Sequence, residues 1–250
     1  MSTPDIVLAS VAGTRLSLAG LLGWLHTHGR LGPLVREALA AQLIQQQARQ
    51  AGLSATDEEL QAAADAFRRR HGLHTAADTQ AWLAARSLSV DDFEAALQQE
   101  VLAAKLRSHL TAVGVDGTFA AHPAGFERLR LAQVLVGRED LARELASQVH
   151  EEGRDLADVA REQGLHLVRV ERFRKELNGP LATALESVGV GELVGPVGTP
   201  RGFALVLVEE RRPAELDGAT RQCIQDELFA DWLAARLREA NINLPLTGPC

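Results

Sequence analysis

Residues 189–210 read GVGELVGPVGTPRGFALVLVEE, and this stretch decides the fold. Gly189, Gly191, Pro196, Gly198, Pro200 and Gly202 punctuate it. Glycine supplies positive φ and proline fixes φ, so the cluster predicts turns. Two short strands are expected between them, 193–197 and 203–210. The second is apolar on both alternating sets, Phe203, Leu205 and Leu207 on one and Ala204, Val206 and Val208 on the other, the pattern of a strand covered on both faces. The stretch is therefore expected at the centre of a sheet, with whatever the protein binds lying beside it.

Working outward, 129–136 and 165–173 read as further strands. Between them, 139–152 reads as a helix, with Leu141, Leu145 and Val149 at i, i+4, i+8, and 156–161 as another turn or two. A short helix is expected at 181–187. Four short strands and two or three helices in so few residues predict a compact α+β domain, 126–216. Before it, Gly114, Gly117, Pro123 and Gly125 interrupt the periodicity, so 114–125 is expected to be a linker.

The remainder is helical. A hairpin at 6–11 and 14–16 leads into a helix capped at Ser17. Pro33 opens a second helix that Gly52 closes. Thr56 with Glu59 is a capping box, and Thr75 with Asp78 and Ser89 with Asp92 repeat it with Asp in place of Glu. Phe93, Leu97, Val101, Leu102, Leu106 and Leu110 give the long helix after Ser89 a packing stripe. In 219–240, Ile224, Leu228 and Trp232 and, one position on, Phe229, Leu233 and Leu237 make an apolar face too wide for a solitary surface helix. The chain is thus expected to return and complete a helical domain, 1–113 plus 217–250, around an inserted α+β domain. The wide face also leaves a homodimer open. The tail 241–250 is expected to be loose.

At 250 residues and a net charge of -7, the chain is long enough for two cores, and its acidic balance argues against nucleic-acid binding. No run approaches a membrane span of about 20 apolar residues, and the N-terminus has neither a basic nor a long apolar leader. A cytoplasmic location is expected on that reading, short of a removed export signal. Cys223 and Cys250, the two cysteines, are too few and too distant for a disulfide framework.

The order of these elements resembles the SurA-like chaperones with a parvulin-type, PpiC-like prolyl isomerase domain. The resemblance covers nearly the whole chain, including QLIQQQARQAGLSATDEELQAAADAFRRRHGL in the helical part. GELVGPVGTPRGF resembles the parvulin segment G-E-x-S-x-P-V-x-T-x-x-G-[YF], and Leu131 to Leu135 is similar to the parvulin strand A-R-H-I-L. Parvulins carry a histidine in each of these strands, where this chain has Gln133 and Ala204. The Gly-Gly-Asp-Leu-Gly turn of the family is missing between Gly164 and Phe173. Alignment with the residues that hold the proline ring gives Leu177, Leu181 and Glu186, with Phe203 the best-aligned aromatic.

The resemblance implies an α+β architecture, a mainly helical SurA-like chaperone domain with an inserted four-stranded parvulin-like domain. It implies a peptide-binding chaperone or maturation factor for an unfolded or leader-bearing client, with Gln133, Leu177, Leu181, Phe203 and Ala204 as substrate-binding residues. No catalytic residue is assigned. Whether the chain is an enzyme stays open, because an isomerase must lower an amide-rotation barrier of about 18–20 kcal/mol and both expected histidines are gone. The alternatives are an active isomerase with a rearranged site, and a peptide-modifying enzyme of other chemistry using Glu186, Arg201 and Gln133. No cofactor or metal is expected: His71 with His74 and His26 with His28 lack accompanying ligands. The glycines of 189–198 lack the Lys-Ser/Thr and helix of a phosphate loop.

Overall fold

A computed structural model describes residues 6–240, in two units: 6–112 with 225–240, and Val113–Ile224. The tail expected to be loose lies outside the described residues.

The first unit opens with β1 (Val7–Val11) and β2 (Thr14–Ser17), paired antiparallel. Ala12 and Gly13 between them have φ of 48° and 84°, the positive values that a two-residue hairpin turn requires. Ser17 then accepts a hydrogen bond from the Gly20 N–H at 3.2 Å and caps α1 (Leu18–Thr27). α2 (Leu31–Gln50) begins before Pro33, which sits in its first turn, where a missing N–H has no intrahelical partner to lose. α3 (Asp57–Arg70), α4 (Ala76–Ala84) and α5 (Val90–Thr111) each open with a reciprocal capping box, Thr56/Glu59, Thr75/Asp78 and Ser89/Asp92.

Two small cores hold α2 to α5. Ala64, Leu83, Phe93 and Leu97 form one, with the Phe67 ring edge-on to Trp82 and Phe93 at 5.0 and 4.9 Å. Ala48, Leu102, Leu106 and Phe229 form the other, joined by Trp232. Lys105 ties α5 to α3 by donating to Glu59 and to the Ser54 carbonyl, each at 2.8 Å.

The second unit starts with α6 (Gly114–Ala121) and a 3-10 turn, Pro123–Phe126, where the sequence suggests a linker. Glycine costs a helix about 1 kcal/mol relative to alanine. Here burial of Val115 and Phe126, and the Phe119 ring beside Phe126 at 5.7 Å, offset that cost. There follow β3 (Arg128–Val136), α7 (Glu139–His150), α8 (Leu156–Glu162), β4 (Leu167–Phe173), a 3-10 turn Arg174–Glu176, α9 (Gly179–Leu185), β5 (Leu193–Thr199) and β6 (Gly202–Arg212). α10 (Gly218–Glu239) begins in this unit and ends in the helical one. Asp217 caps it, accepting from the Thr220 N–H at 2.9 Å. That bond, reinforced by Arg128, holds the Asp217 carboxyl below its ordinary range.

The sheet order is β4-β3-β6-β5, all antiparallel. β6 is a central strand, as its double apolar alternation predicts, whereas β5 is an edge. The fold class is α+β, as expected from the order of elements.

Two glycines fix the β5–β6 hairpin. A Cβ on Gly195, at φ +123°, would lie 2.4 Å from the Ala204 carbonyl oxygen. One on Gly202, at φ +128°, would lie 2.5 Å from that of Val136. Side chains are excluded at both positions on conformational and on steric grounds.

Candidate functional site

Alternation on β3 and β6 gives the four-stranded sheet two different faces. Val134, Val136 and Leu205 pack against Ala142 and Leu145 of α7 and Leu156, Val159 and Ala160 of α8. On the other face Leu129, Leu131, Ala204, Val206 and Val208 pack with Val194 and Val197 of β5 and Leu185 of α9.

Of the five expected binding residues, four come to this second face. Leu177 and Leu181 pack onto it from the segment containing α9. Ala204 lies opposite Leu135 on β3 and Val197 on β5, and is 8% exposed. Gln133 is half-buried and pairs with Val206 on β6 and Val168 on β4. It shares the face of Leu131 and Leu135 because successive strand side chains alternate. Gln133 and Ala204 are thus diagonal cross-strand neighbours. Phe203, the fifth, does not join them. It packs against the α7 and α8 face, the opposite one, because it is one residue from Ala204 on an unbroken strand.

Leu135 and Val168 also belong to the Gln133 face, and they are 42% and 53% exposed. They leave an open apolar strip beside Gln133 and Ala204 that the sequence reading missed. The alternation of β3 and β4 carries the signal for which face they share.

At the other end of the face, Arg211 holds α9 in place. It donates to the Leu185 carbonyl at 2.6 Å, to that of Val188 at 3.0 Å, and to both Glu127 carboxylate oxygens at 3.0 and 3.1 Å. Glu186 is exposed at the C-cap of α9 and lines a cleft of about 420 Å³ with Arg174, Lys175, Leu129 and Leu177. Its carboxylate is a rim charge there. Arg201 is exposed in the β5–β6 turn.

The chemistry available is limited by this composition. Around Ala204, where β3 and β6 present Leu131, Gln133, Leu135, Val206 and Val208 to the face, only Gln133 is polar, and Arg211 lies at the far end. A neutral amide donates and accepts hydrogen bonds but neither gives nor takes a proton near neutral pH. Such a face can bury apolar peptide side chains and orient one peptide group. Elsewhere two of the histidines act as ring partners: His28 stacks on Trp24 at 4.2 Å, and His71 lies 4.2 Å from Phe67. Among the described residues no group of three His, Cys, Asp or Glu side chains gathers for a metal ion.

A four-stranded antiparallel sheet with helices on both faces and this GEL-x-GPV hairpin is similar to a parvulin-type domain. Residues 115–218 match the PPIC-type PPIASE domain family. The chaperone SurA of Pseudomonas putida is 25% identical over 206 residues, covering 71% of this chain and 46% of that protein. The chain therefore spans about half the length of this curated relative. Solved structures with similarity include PrsA, a peptidylprolyl isomerase from Bacillus anthracis, at 13% identity and a TM-score of 0.45, covering 84% of this chain and 99% of that one. The foldase protein PrsA from Streptococcus pneumoniae is similar at 11% identity and a TM-score of 0.44, covering 96% and 95%. The SurA-like, parvulin-type resemblance is thus supported.

One expectation is overturned. SurA and PrsA are periplasmic or extracytoplasmic chaperones, which corrects the reading of this chain as cytoplasmic. That reading rested on the first ten residues lacking a leader pattern, and the start of a sequence does not by itself fix a compartment.

Proposed function

We propose that the chain is a peptide-binding chaperone or maturation factor with little isomerase activity, holding an unfolded or leader-bearing client polypeptide. In this reading 1–113 with 217–250 form the helical chaperone-like domain and 126–216 the parvulin-like domain. The client lies on the sheet face of Gln133, Ala204, Leu177 and Leu181, with Leu135 and Val168 as its exposed apolar extension. The observation that carries the reading is that Gln133 and Ala204 are diagonal neighbours on one sheet face. Where parvulins carry two histidines, a neutral amide and a methyl group are diagonal neighbours in an apolar part of the face. Apolar contact survives such a change, because burial of side chains yields roughly 25 cal/mol per Å² whatever the neighbouring polar groups do. Stabilisation of a twisted amide does not survive it, because that needs groups aimed at the charge redistribution of the transition state.

Two measurements on the full chain test this. A protease-coupled assay on Xaa-Pro peptides is expected to show less than about a tenth of an ordinary parvulin's rate, a deficit of at least roughly 1.4 kcal/mol in barrier lowering. An aggregation assay on an unfolded model substrate is expected to show suppression. A parvulin-like rate would make the chain an active isomerase, and absence of both suppression and peptide binding would end the chaperone reading.

A further inference from the structure

The segment that leads into β4 is pinned on both sides of one histidine. Gly164, at φ +66°, ends α8, and the Leu165 N–H then donates to the Ala160 carbonyl at 2.9 Å. Two residues on, Leu167 joins the ladder opposite Val134. Leu165 and Leu167 both pack against the core that α7 and α8 make with the sheet. His166 stands between them, and successive side chains of an extended chain point to opposite faces. The imidazole is therefore directed to the face of Val168 and Val170, the one that carries Gln133 and Ala204.

The register gives it its neighbours. Gln133 lies opposite Val168 and Val134 opposite Leu167, so the next step of the same ladder runs from Leu135 to position 166. β3 and the start of β4 thus present a two-by-two patch, with Gln133 and His166 on one diagonal and Leu135 and Val168 on the other. Directly opposed side chains are about 5 Å apart and diagonal ones about 7–8 Å, within reach of two long side chains. His166 is exposed, as Leu135 and Val168 are. Among the described residues no hydrogen bond, ion pair or ring contact engages it, in contrast to His28, whose Nδ1 lies 2.7 Å from the Trp24 carbonyl oxygen.

We propose that His166 is a client-binding residue, the second polar group of a site to which β3 and β6 contribute Gln133 alone. The inference rests on the reading of this face as the client site, and it names what that site takes. An imidazole carries a donor and, when neutral, an acceptor nitrogen, and the Gln133 amide has both functions as well. Converging across the diagonal, the two satisfy the N–H and C=O of one peptide group, while Leu135 and Val168 receive the apolar side chain beside it. The ligand that fits is an extended polypeptide segment with an apolar side chain next to an unpaired peptide group. Unfolded chains offer that combination, whereas helices and sheet interiors have already paired their peptide groups.

Binding of fluorescently labelled, reduced and carboxymethylated α-lactalbumin, a permanently unfolded polypeptide, to the full chain tests this by anisotropy. His166→Ala is expected to raise the dissociation constant at least about fivefold, the worth of one ordinary hydrogen bond. His166→Gln, which keeps a donor and an acceptor, is expected to stay within about twofold of wild type. His150→Ala, at an exposed position ending the α7 helix on the other side of the sheet, leaves binding unaltered. Adding Gln133→Ala to His166→Ala loses less than the product of the two single losses, because the pair holds one group. Unaltered binding by His166→Ala overturns the inference and leaves the client-binding face standing. So does an equal loss in His166→Ala and His166→Gln, or a pair of losses that simply multiply. A wild type that binds no α-lactalbumin removes the client reading and the inference together.

Discussion

Arg211 donates to both carboxylate oxygens of Glu127, at 3.0 and 3.1 Å, across 84 positions of sequence. Both side chains are about four-fifths buried, and the same guanidinium holds the carbonyls of Leu185 and Val188. Removing the cation leaves a largely buried carboxylate and two carbonyls without that donor. Arg174, 3.5 Å from Glu127, compensates in part. Arg211→Met is therefore expected to cost about 2–3 kcal/mol, less than a fully buried pair broken on one side. Hydrogen exchange should rise first at 179–188, where α9 meets the sheet face. Unchanged protection there would show that the clamp does not order α9.

Gly195→Ala tests the hairpin of the deciding stretch. With a Cβ 2.4 Å from the Ala204 oxygen and φ at +123°, the substitution is expected to cost more than about 2 kcal/mol. Gly198→Ala meets nothing within 4 Å and is expected to change stability by less than about 0.5 kcal/mol. Urea unfolding must be followed by circular dichroism, because Trp24, Trp82 and Trp232 all lie outside the α+β unit and their fluorescence reports the helical one.

The capping boxes give the helical unit its acid sensitivity. Hydrogen bonds from Lys105 and the Thr56 backbone lower the Glu59 pKa from 4.5, and bonds from Thr75 and Ser89 lower those of Asp78 and Asp92 from 3.8. A folded-state pKa below the unfolded one contributes stability that is present above the unfolded value and lost as pH falls through the folded value. Tryptophan-monitored unfolding is expected to be flat from neutral pH down to the ordinary carboxylate range and to weaken below it. Asp92→Asn should reduce that slope, and Ser89→Ala should cost about 1 kcal/mol at neutral pH. An acid slope unaltered by Asp92→Asn would remove this box from the explanation.

Leu135 and Val168 are exposed beside Gln133, so they can be changed without disturbing the core. The double variant Leu135→Ser, Val168→Ser is expected to weaken suppression of aggregation at least about threefold, with a stability change within about 0.5 kcal/mol. Full suppression by the double variant would move the client site off this face.

What the sequence determined by itself is the local architecture. The alternation of 203–208 reveals a strand covered on both sides. The positive-φ turn at Ala12 and Gly13, the Ser17 cap and the three capping boxes follow from interactions spanning four residues or fewer. The replacement of histidine by Gln133 and Ala204 is also legible, because GELVGPVGT and LAQVL set the register. Tertiary structure decided the rest. It made a helix of 114–121, where glycine propensity favours a linker, by burying Val115 and seating Phe119 against Phe126. It assigned Phe203 to the face opposite Ala204, a question of parity that an aligned aromatic cannot answer. It also paired Arg211 with Glu127. Each of these depends on which distant surface arrives, and burial and charge pairing are settled only when it does.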